Sequence, residues 1–395
     1  MPSTGYKQRT GRGPILLAVL LCVGCGPPPE DLVSDGYSCP PAARSFALTV
    51  VDSVVLEESE NSLLGNPAIT FTATSDGSLF IPDLELNRVS VFAGRGKLLG
   101  HLGRSGGGPG EFLGIGTFGL ATDSLILQSD GGGSRLNLYD PRSLEFVGQI
   151  PYEGYFSWIS AAPRRYLVGL LGSHGVTTIG AEQITAARRG DLQAPLRPAS
   201  VERPMEYLRY PVLNAWRDVK VVAHQEGLLV VFGGADYLLA VDRAGNIDTV
   251  RIPICGRRGA PKARLEQSLR NRSSSSPEAG ASDSISAVLG LYRLSSHGYL
   301  VWFQDPTFKQ SGRIFEGIAY LTLLSADLQR ACIDTRVEAL GTDRARLAVS
   351  GDSVFVLDQV GGEGGAGPIH TVVRKYLLDV STCRWVRIGA PGYQR

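Results

Sequence analysis

Asp76-Gly-Ser-Leu-Phe-Ile-Pro-Asp83, Asn87-Arg-Val-Ser-Val-Phe92 and Gly96-Lys-Leu-Leu-Gly-His-Leu-Gly103 follow one another along the chain. Each is a short apolar run rich in β-branched or aromatic residues. Between them stand Gly, Asp and Asn, which suit tight turns. The three runs read as antiparallel strands of one small sheet. The pattern then returns. Asp123–Gln128, Ser134–Asp140 and Leu144–Ile150 form a second copy, and Arg165–Leu171 is the best strand of a degenerate third. Glu226–Phe232, Tyr237–Asp242 and Asn246–Ile252 form a fourth. Gly298–Phe303, Ala319–Leu324 and Leu328–Ile333 form a fifth, and Asp352–Leu357, Val372–Leu378 and Cys383–Ile388 a sixth. Even spacing of short strands predicts an all-β chain, and a recurrent unit predicts a repeat array. Sheets that cannot each bury both faces alone stack radially around a channel. The expectation is therefore a six-bladed β-propeller with four-stranded blades over residues 45–390. Phe46–Leu56 precedes the first full copy and is expected to pair with the last blade and close the ring, hiding an edge.

Composition sets outer bounds. The chain has 395 residues, with 39 Lys and Arg against 38 Asp and Glu. That near-balance argues against nucleic acid, whose binders carry a basic surplus. The 49 glycines follow no collagen-like period and read as turn chemistry.

The first residues have the order of an export signal. Lys7, Arg9 and Arg12 precede a short apolar run, Ile15–Val23, that is too short to span a bilayer. Leu21-Cys22-Val23-Gly24-Cys25 then resembles a bacterial lipobox, followed by Gly-Pro-Pro-Pro. Residues 1–24 are expected to be a lipoprotein signal peptide, Cys25 the lipidated residue, and 25–44 a Pro-rich tether. Acyl chains bury methylenes worth about 0.8 kcal/mol each, and two chains give durable anchoring. Gly26 after the cysteine resembles the sorting pattern for the outer membrane of bacteria. The mature chain would keep four further cysteines, Cys39, Cys255, Cys332 and Cys383. In an oxidising compartment these suggest two disulfides, and Cys332 with Cys383 are expected near enough to pair. No Cys/His spacing suggests a zinc site.

Gly103-Arg-Ser-Gly-Gly-Gly-Pro-Gly-Glu-Phe112 follows a strand and resembles the inter-blade linker of NHL-like six-bladed β-propeller proteins. The resemblance covers most of residues 60–390 and is sharpest in the first blade. It implies a propeller, in many cases an envelope lipoprotein. The linker is a poor phosphate loop, because no Gly-Lys-Ser/Thr follows. Its glycines are expected to supply positive φ, with Glu111 and Phe112 anchoring the crossing. Insertions are expected near 188–211 and 253–285, the latter with a helix in Lys262–Arg272 carrying Leu265 and Leu269 on one face.

Ligands meet a propeller at the channel mouth. The candidate ligand face is Asp83, Asn87, Arg88, Asp130, Arg135, His174, Asp305 and Asp358, with Glu85, Asp236, Lys309 and Glu363 beside them. Trp158 and Trp216 are placed on inner strands, able to line a pocket. A ring of Asp83, Asp130, Asp305 and Asp358 could hold calcium through oxygen ligands. The alternative is that each aspartate accepts backbone N–H bonds of a turn. The histidines His101, His174, His224, His297 and His370 do not converge, so no other metal and no catalytic set is expected. Arg257, Arg258, Lys262, Arg264, Arg270 and Arg272 form either a basic patch for an anionic partner or a solvated helix face. The leading expectation is a monomeric, membrane-anchored binding or scaffold protein with an envelope protein, peptide or glycan partner, without a catalytic role. The alternatives are a calcium-dependent lactonase- or lyase-type enzyme and an extracytoplasmic sensory module.

Overall fold

The computed structural model describes residues 45–388, except 58, 60–61, 69, 123–124, 132–134, 153–155, 163–164, 171–175, 192–196, 199–200, 202–203, 205, 211, 214–217, 271–284, 309–314, 338–345 and 362–369. The chain begins with β1 (Ala47–Val55). The first sheet is β2 (Thr72–Ala73), β3 (Leu79–Asp83), β4 (Arg88–Phe92) and β5 (Leu98–Leu102). The second is β6 (Ile115–Thr122), β7 (Leu125–Asp130), β8 (Arg135–Tyr139) and β9 (Phe146–Pro151). The third is β10 (Phe156–Ala162), β11 (Arg165–Leu170), β12 (Val176–Gly180) and β13 (Arg197–Pro198), with helix α1 (Ala181–Arg188) between the last two. Helix α2 (Glu206–Arg209) leads to the fourth sheet, β14 (Val219–His224), β15 (Gly227–Phe232), β16 (Tyr237–Val241) and β17 (Ile247–Arg251). Helix α3 (Lys262–Arg270) precedes the fifth, β18 (Ala287–Arg293), β19 (Tyr299–Phe308), β20 (Phe315–Leu324) and β21 (Arg330–Val337). The last is β22 (Arg346–Ser350), β23 (Ser353–Val360) and β24 (His370–Asp379), completed by β1. A final β25 (Val386–Arg387) joins the outside of the fifth sheet.

All pairings within the sheets are antiparallel, and the fold is an all-β propeller with four-stranded blades. The reason lies in how the sheets share cores. Val89, Val91 and Phe112 of the first sheet and its exit loop pack with Phe118 and Tyr139 of the second. Leu138 and Ile150 pack with Ile159 and Ile179 of the third. Leu229 and Leu238 pack with Leu291 and Phe303 across the fourth and fifth. Leu300 and Trp302 pack with Leu347 and Val356 across the fifth and last. Phe71, Leu79 and Ile81 then pack with Phe355 and Leu357, so the last sheet meets the first. Central strands such as β15 are buried at every position, as continuous apolar runs require when both faces are covered.

The closing strand is the amino-terminal one. β1 runs antiparallel to β24, from Ala47 opposite Asp379 to Val55 opposite Val372. Its arrival explains a departure from the sequence reading. Cys383–Ile388 was the expected outer strand of the sixth copy, but that place is filled by β1. Val386 and Arg387 instead pair with Ala331 and Arg330 of β21. A disulfide between Cys332 and Cys383 fixes this docking, with their Cα atoms 5.9 Å apart. The supposed insertion 188–211 likewise contains β13, which pairs with β12 as the fourth strand of the third sheet. In α3, Leu265 is buried but Leu269 is exposed, so the helix docks by one leucine and not two. Asp305 and Asp358 lie inside β19 and β23, two long strands, whereas Asp83 and Asp130 are the last residues of β3 and β7.

Candidate functional site

In the first, second and fifth blades an aspartate of the second strand grips the loop that enters that blade. Asp83 is fully buried. It accepts N–H bonds from Gly65 at 2.7 Å and Asn66 at 3.1 Å, on the entering loop. It also accepts from Glu85 and Leu86 of its own turn at 3.0 and 3.1 Å. Asp130 accepts from Leu113 and Gly114 at 3.0 and 3.3 Å. Asp305 accepts from Arg258 N–H at 2.9 Å and from the Ser286 hydroxyl at 2.5 Å. Burial pushes the Asp305 carboxyl above the usual range, against the pull of those two donors. Asp358 faces Arg374 at 3.4 Å. Asp83, Asp130 and Asp305 thus spend acceptor capacity on holding their own blades, whereas Asp358 makes only the contact with Arg374 among the described residues. No group of three or more metal-ligating side chains occurs among the described residues.

The other candidates on this face are clamps as well. Asn87 sits at φ 47°, a conformation that Asn tolerates in a tight turn. Its Oδ1 accepts from Ile115 N–H at 3.2 Å, tying the first blade to the second. Arg88 donates to the Leu63 carbonyl at 3.0 Å. On β8, the alternate residues Arg135, Asn137 and Tyr139 share one side of the strand. They donate to the carbonyls of Gly107, Glu111 and Gly110 at 3.1, 3.2 and 2.9 Å, and Arg135 also reaches Glu111. Burial raises the Tyr139 phenol well above its ordinary value, so it remains a donor. These three side chains hold the glycine-rich linker by its backbone. Within the linker Gly103 has φ +62°, and a β-carbon there would stand 2.2 Å from the Phe112 ring. Glu111 accepts from Gly108 N–H at 2.8 Å and from Arg104 at 2.7 Å, which together hold its carboxyl below the usual range.

The basic run is split by the fold. Arg257 is buried, with its guanidinium 3.8 Å above the Phe303 ring centroid. It pairs with Asp236 and lies 3.5 Å from Asp334. Asp334 in turn accepts from Cys255 and Gly256 N–H at 2.9 and 3.1 Å. Arg258 donates to the Pro306 carbonyl at 2.7 Å. Arg257 and Arg258 therefore fasten the loop from the fourth blade to the fifth and do not belong to a surface patch. Cys255 is disulfide-bonded. Cys25, Cys39, His174, Trp216, Lys309, Arg272 and Glu363 lie outside the described residues.

With the polar candidates committed to the frame, the loop tips they hold are what this face presents. Leu63, Leu84, Leu86 and Leu113 are 55%, 44%, 39% and 59% exposed. They stand on three loops joined by the bonds from Arg88 to Leu63, from Leu84 N–H to the Asn66 carbonyl at 2.9 Å, and from Ile115 to Asn87. The sequence reading missed them. Their signal was leucine at turn positions, in Asp-Leu-Glu-Leu-Asn and just after the linker, where polar residues are the rule.

The hub of the ring is a second feature. A cavity of about 240 Å³ runs between the inner strands, with Thr72, Phe118, Trp158, Val222, Tyr292 and Val349 each from a different sheet. Trp158, on the inner strand β10, is largely buried there. Its ring meets Tyr292 edge-on at 5.3 Å, and the Lys220 ammonium lies 5.4 Å from its centroid.

No protein-family model matches the chain, and no curated protein matches its sequence. Solved structures do resemble it. A DUF4221 family member from Bacteroides vulgatus ATCC 8482 superposes with TM-score 0.57 at 8% identity, over 85% of this chain and 99% of that one. A Bacteroides fragilis NCTC 9343 protein, described by name as putatively exported, gives TM-score 0.55 at 9% identity, over 86% and 98%. The β-propeller domain of Myceliophteria thermophila Cps50 (Swd1) gives 0.44 at 9% identity, over 80% and 99%. At these identities the likeness is one of fold alone, and it is the chain's own ring of four-stranded antiparallel sheets that places it in the class of β-propellers.

Proposed function

We propose that this chain is a six-bladed, NHL-like propeller, exported and lipid-anchored through Cys25 to a bacterial envelope, that binds a protein or peptide partner. The observation that carries this reading is the group of exposed leucines, Leu63, Leu84, Leu86 and Leu113, on loops held rigid by Asp83, Asn87, Arg88 and Asp130. Apolar side chains on a preorganised surface lower the ordering cost of association. Leucine contacts favour a polypeptide over a glycan. A binding role is favoured over calcium-dependent chemistry because Asp83, Asp130 and Asp305 already accept backbone N–H bonds. Six sheets that pair off around one cavity support the six-fold count. The fold likeness to a protein named as exported, and a lipobox-like leader, support the address.

The test is cross-linking in intact envelopes with the full chain. A specific partner should be captured by the native protein and by Leu99→Ser, which changes an exposed leucine on the outer strand β5. Capture should fall at least tenfold in Leu86→Ser/Leu113→Ser, a loss of about 1.4 kcal/mol or more. Equal capture by that double variant would remove the leucine face from the reading. Cys25→Ser should move the chain from the membrane to the soluble fraction, and continued membrane association would remove the anchor.

A further inference from the structure

Of the chain's six cysteines, Cys332 and Cys383 pair with each other. Cys255 is disulfide-bonded as well. Its partner is one of the remaining three, Cys22, Cys25 or Cys39. We infer that it is Cys39, and that residues 39–45 are thereby held as a strap over the outer edge of β21. The choice rests on the anchor proposed above, because cleavage before Cys25 removes Cys22 and lipidation occupies the Cys25 sulfur.

The fold brings the two ends of the strap together. Asp334 and Thr335 are neighbours in β21. The Asp334 carboxylate accepts N–H bonds from Cys255 at 2.9 Å and from Gly256 at 3.1 Å. The Thr335 hydroxyl donates to the Phe46 carbonyl at 2.9 Å. With ordinary side-chain lengths and Cα spacing, those bonds place Phe46 within about 16 Å of Cys255. The chain from Cys39 to Phe46 spans up to about 25 Å, enough to bring Cys39 to the roughly 5.5–6 Å between Cα atoms that a disulfide needs.

The edge between them is open. β25 pairs with β21 at Arg330 and Ala331, and among the described residues no strand covers that edge at Asp334 or Thr335. Asp334 reaches the loop from the fourth blade and Thr335 the start of the closing strand, so a direct path from Phe46 to Cys255 crosses β21 there. Pro40 and Pro41 bring no N–H donor to the strap, which suits an outermost segment.

The strap changes where the tether leaves the disc. Cys255 lies in the loop from β17 to β18, while Leu63 and Leu113 lie in the corresponding loops from β1 to β2 and from β5 to β6. Loops that link the outer strand of one blade to the inner strand of the next share one face. An unstrapped tether would leave from Ser45, held by the Thr382 hydroxyl beside the turn after β24, on the opposite face. With the strap the free chain is residues 26–38, at most about 50 Å long, and it departs from the leucine face. The partner of the leucines is then one met within that reach of the bilayer.

Peptide mapping of the exported full chain, with free thiols blocked at lysis, decides the pairing. Trypsin with a glutamate-specific protease cuts at Arg44 and Glu30, so Cys25 and Cys39 fall in different fragments. The Cys39 fragment should be linked to the Cys255 fragment and released by reduction. Cys255 linked to Cys25 would overturn the strap and the lipid anchor together. Cys255 as a free thiol, or linked to a second chain, would overturn the strap and leave the anchor standing. An unlipidated Cys25 beside an intact link between Cys39 and Cys255 would support the strap and remove the anchor alone. Brief trypsin treatment, read on a reducing gel, checks the docking. Cutting after Arg44 should be at least tenfold faster in Cys39→Ser/Cys255→Ser than in the native chain, and equal rates would overturn the docked strap. If the double variant fails to fold, the map of the native chain decides alone.

Discussion

Replacing Cys332 and Cys383 together by alanine removes one covalent link, and its worth can be worked from the fold. The bond closes a loop of 51 residues. Closing a loop of that length in the unfolded chain is worth about 4 kcal/mol at 25 °C on the chain-entropy model. Cys332 is fully buried among Phe46, Leu300 and Leu378, so loss of its sulfur adds a packing term of about 1 kcal/mol. The link also guards the ring closure. The Thr335 hydroxyl donates to the Phe46 carbonyl at 2.9 Å, and the Thr382 hydroxyl to the Ser45 carbonyl at 3.1 Å. Both donors flank the disulfide and hold the start of β1. Chemical reduction is the wrong perturbation, because Cys255 is disulfide-bonded too. Urea denaturation of the double alanine variant, followed by tryptophan emission, should show a loss of roughly 4–5 kcal/mol relative to the native chain. Each single alanine variant should lose a similar amount. A double variant within about 1 kcal/mol of the native protein would refute the reasoning, since loss of a native disulfide typically costs about 2–5 kcal/mol.

Asp83→Ala removes the acceptor of four backbone N–H groups and should cost about 3–5 kcal/mol in denaturant unfolding. Asp83→Asn should cost only about 1–2 kcal/mol, because Oδ1 takes three of the four bonds and Asn can keep that oxygen in place. Equal losses would show that the carboxylate is not acting as an acceptor. Arg257→Ala strands Asp236 and Asp334 without their cation and should destabilise by about 3–5 kcal/mol, measured the same way. Arg257→Met, which keeps an apolar contact with Phe303 but loses the cation–π contact, should lose less than Arg257→Ala. Burial, with Arg293 nearby, lowers the pKa of His224, whose Nδ1 lies 2.8 Å from the Tyr299 hydroxyl. The unfolded chain then binds the proton more readily, so this contribution is complete above about pH 6.5 and is lost as pH falls below it toward the folded value. The stability of the native chain should fall more between neutral pH and pH 5 than that of His224→Gln, and parallel pH curves would contradict the assignment.

The blades were legible because their signal is local. In Leu79–Asp83 and Arg88–Phe92 the strand pattern and the turn residues between them lie within one short window, and β3 and β4 pair where that pattern places them. The same holds for β15 and β16, whose runs are apolar throughout because both faces are covered. The carboxyl-terminal strand was misplaced because Val386–Arg387 is equally suited to two sheets. What decides between them is long-range, namely β1 already seated on β24 and Cys383 tied to Cys332. The site was misread for a related reason. Arg135 and Asp130 look like ligand groups when each is seen alone. Arg135, Asn137 and Tyr139 become clamps only when the linker of the preceding blade is laid across them, an arrangement that spacing along one strand does not contain. Arg257 is the sharpest case. Its sequence neighbours are basic, yet its partners Asp236 and Asp334 come from two different blades, and together they turn an apparent surface charge into a buried one. Polar residues in this propeller therefore mark where loops are tied down. The residues free to meet a partner are those the ties leave exposed, which is why the leucines at the loop tips carry the functional argument.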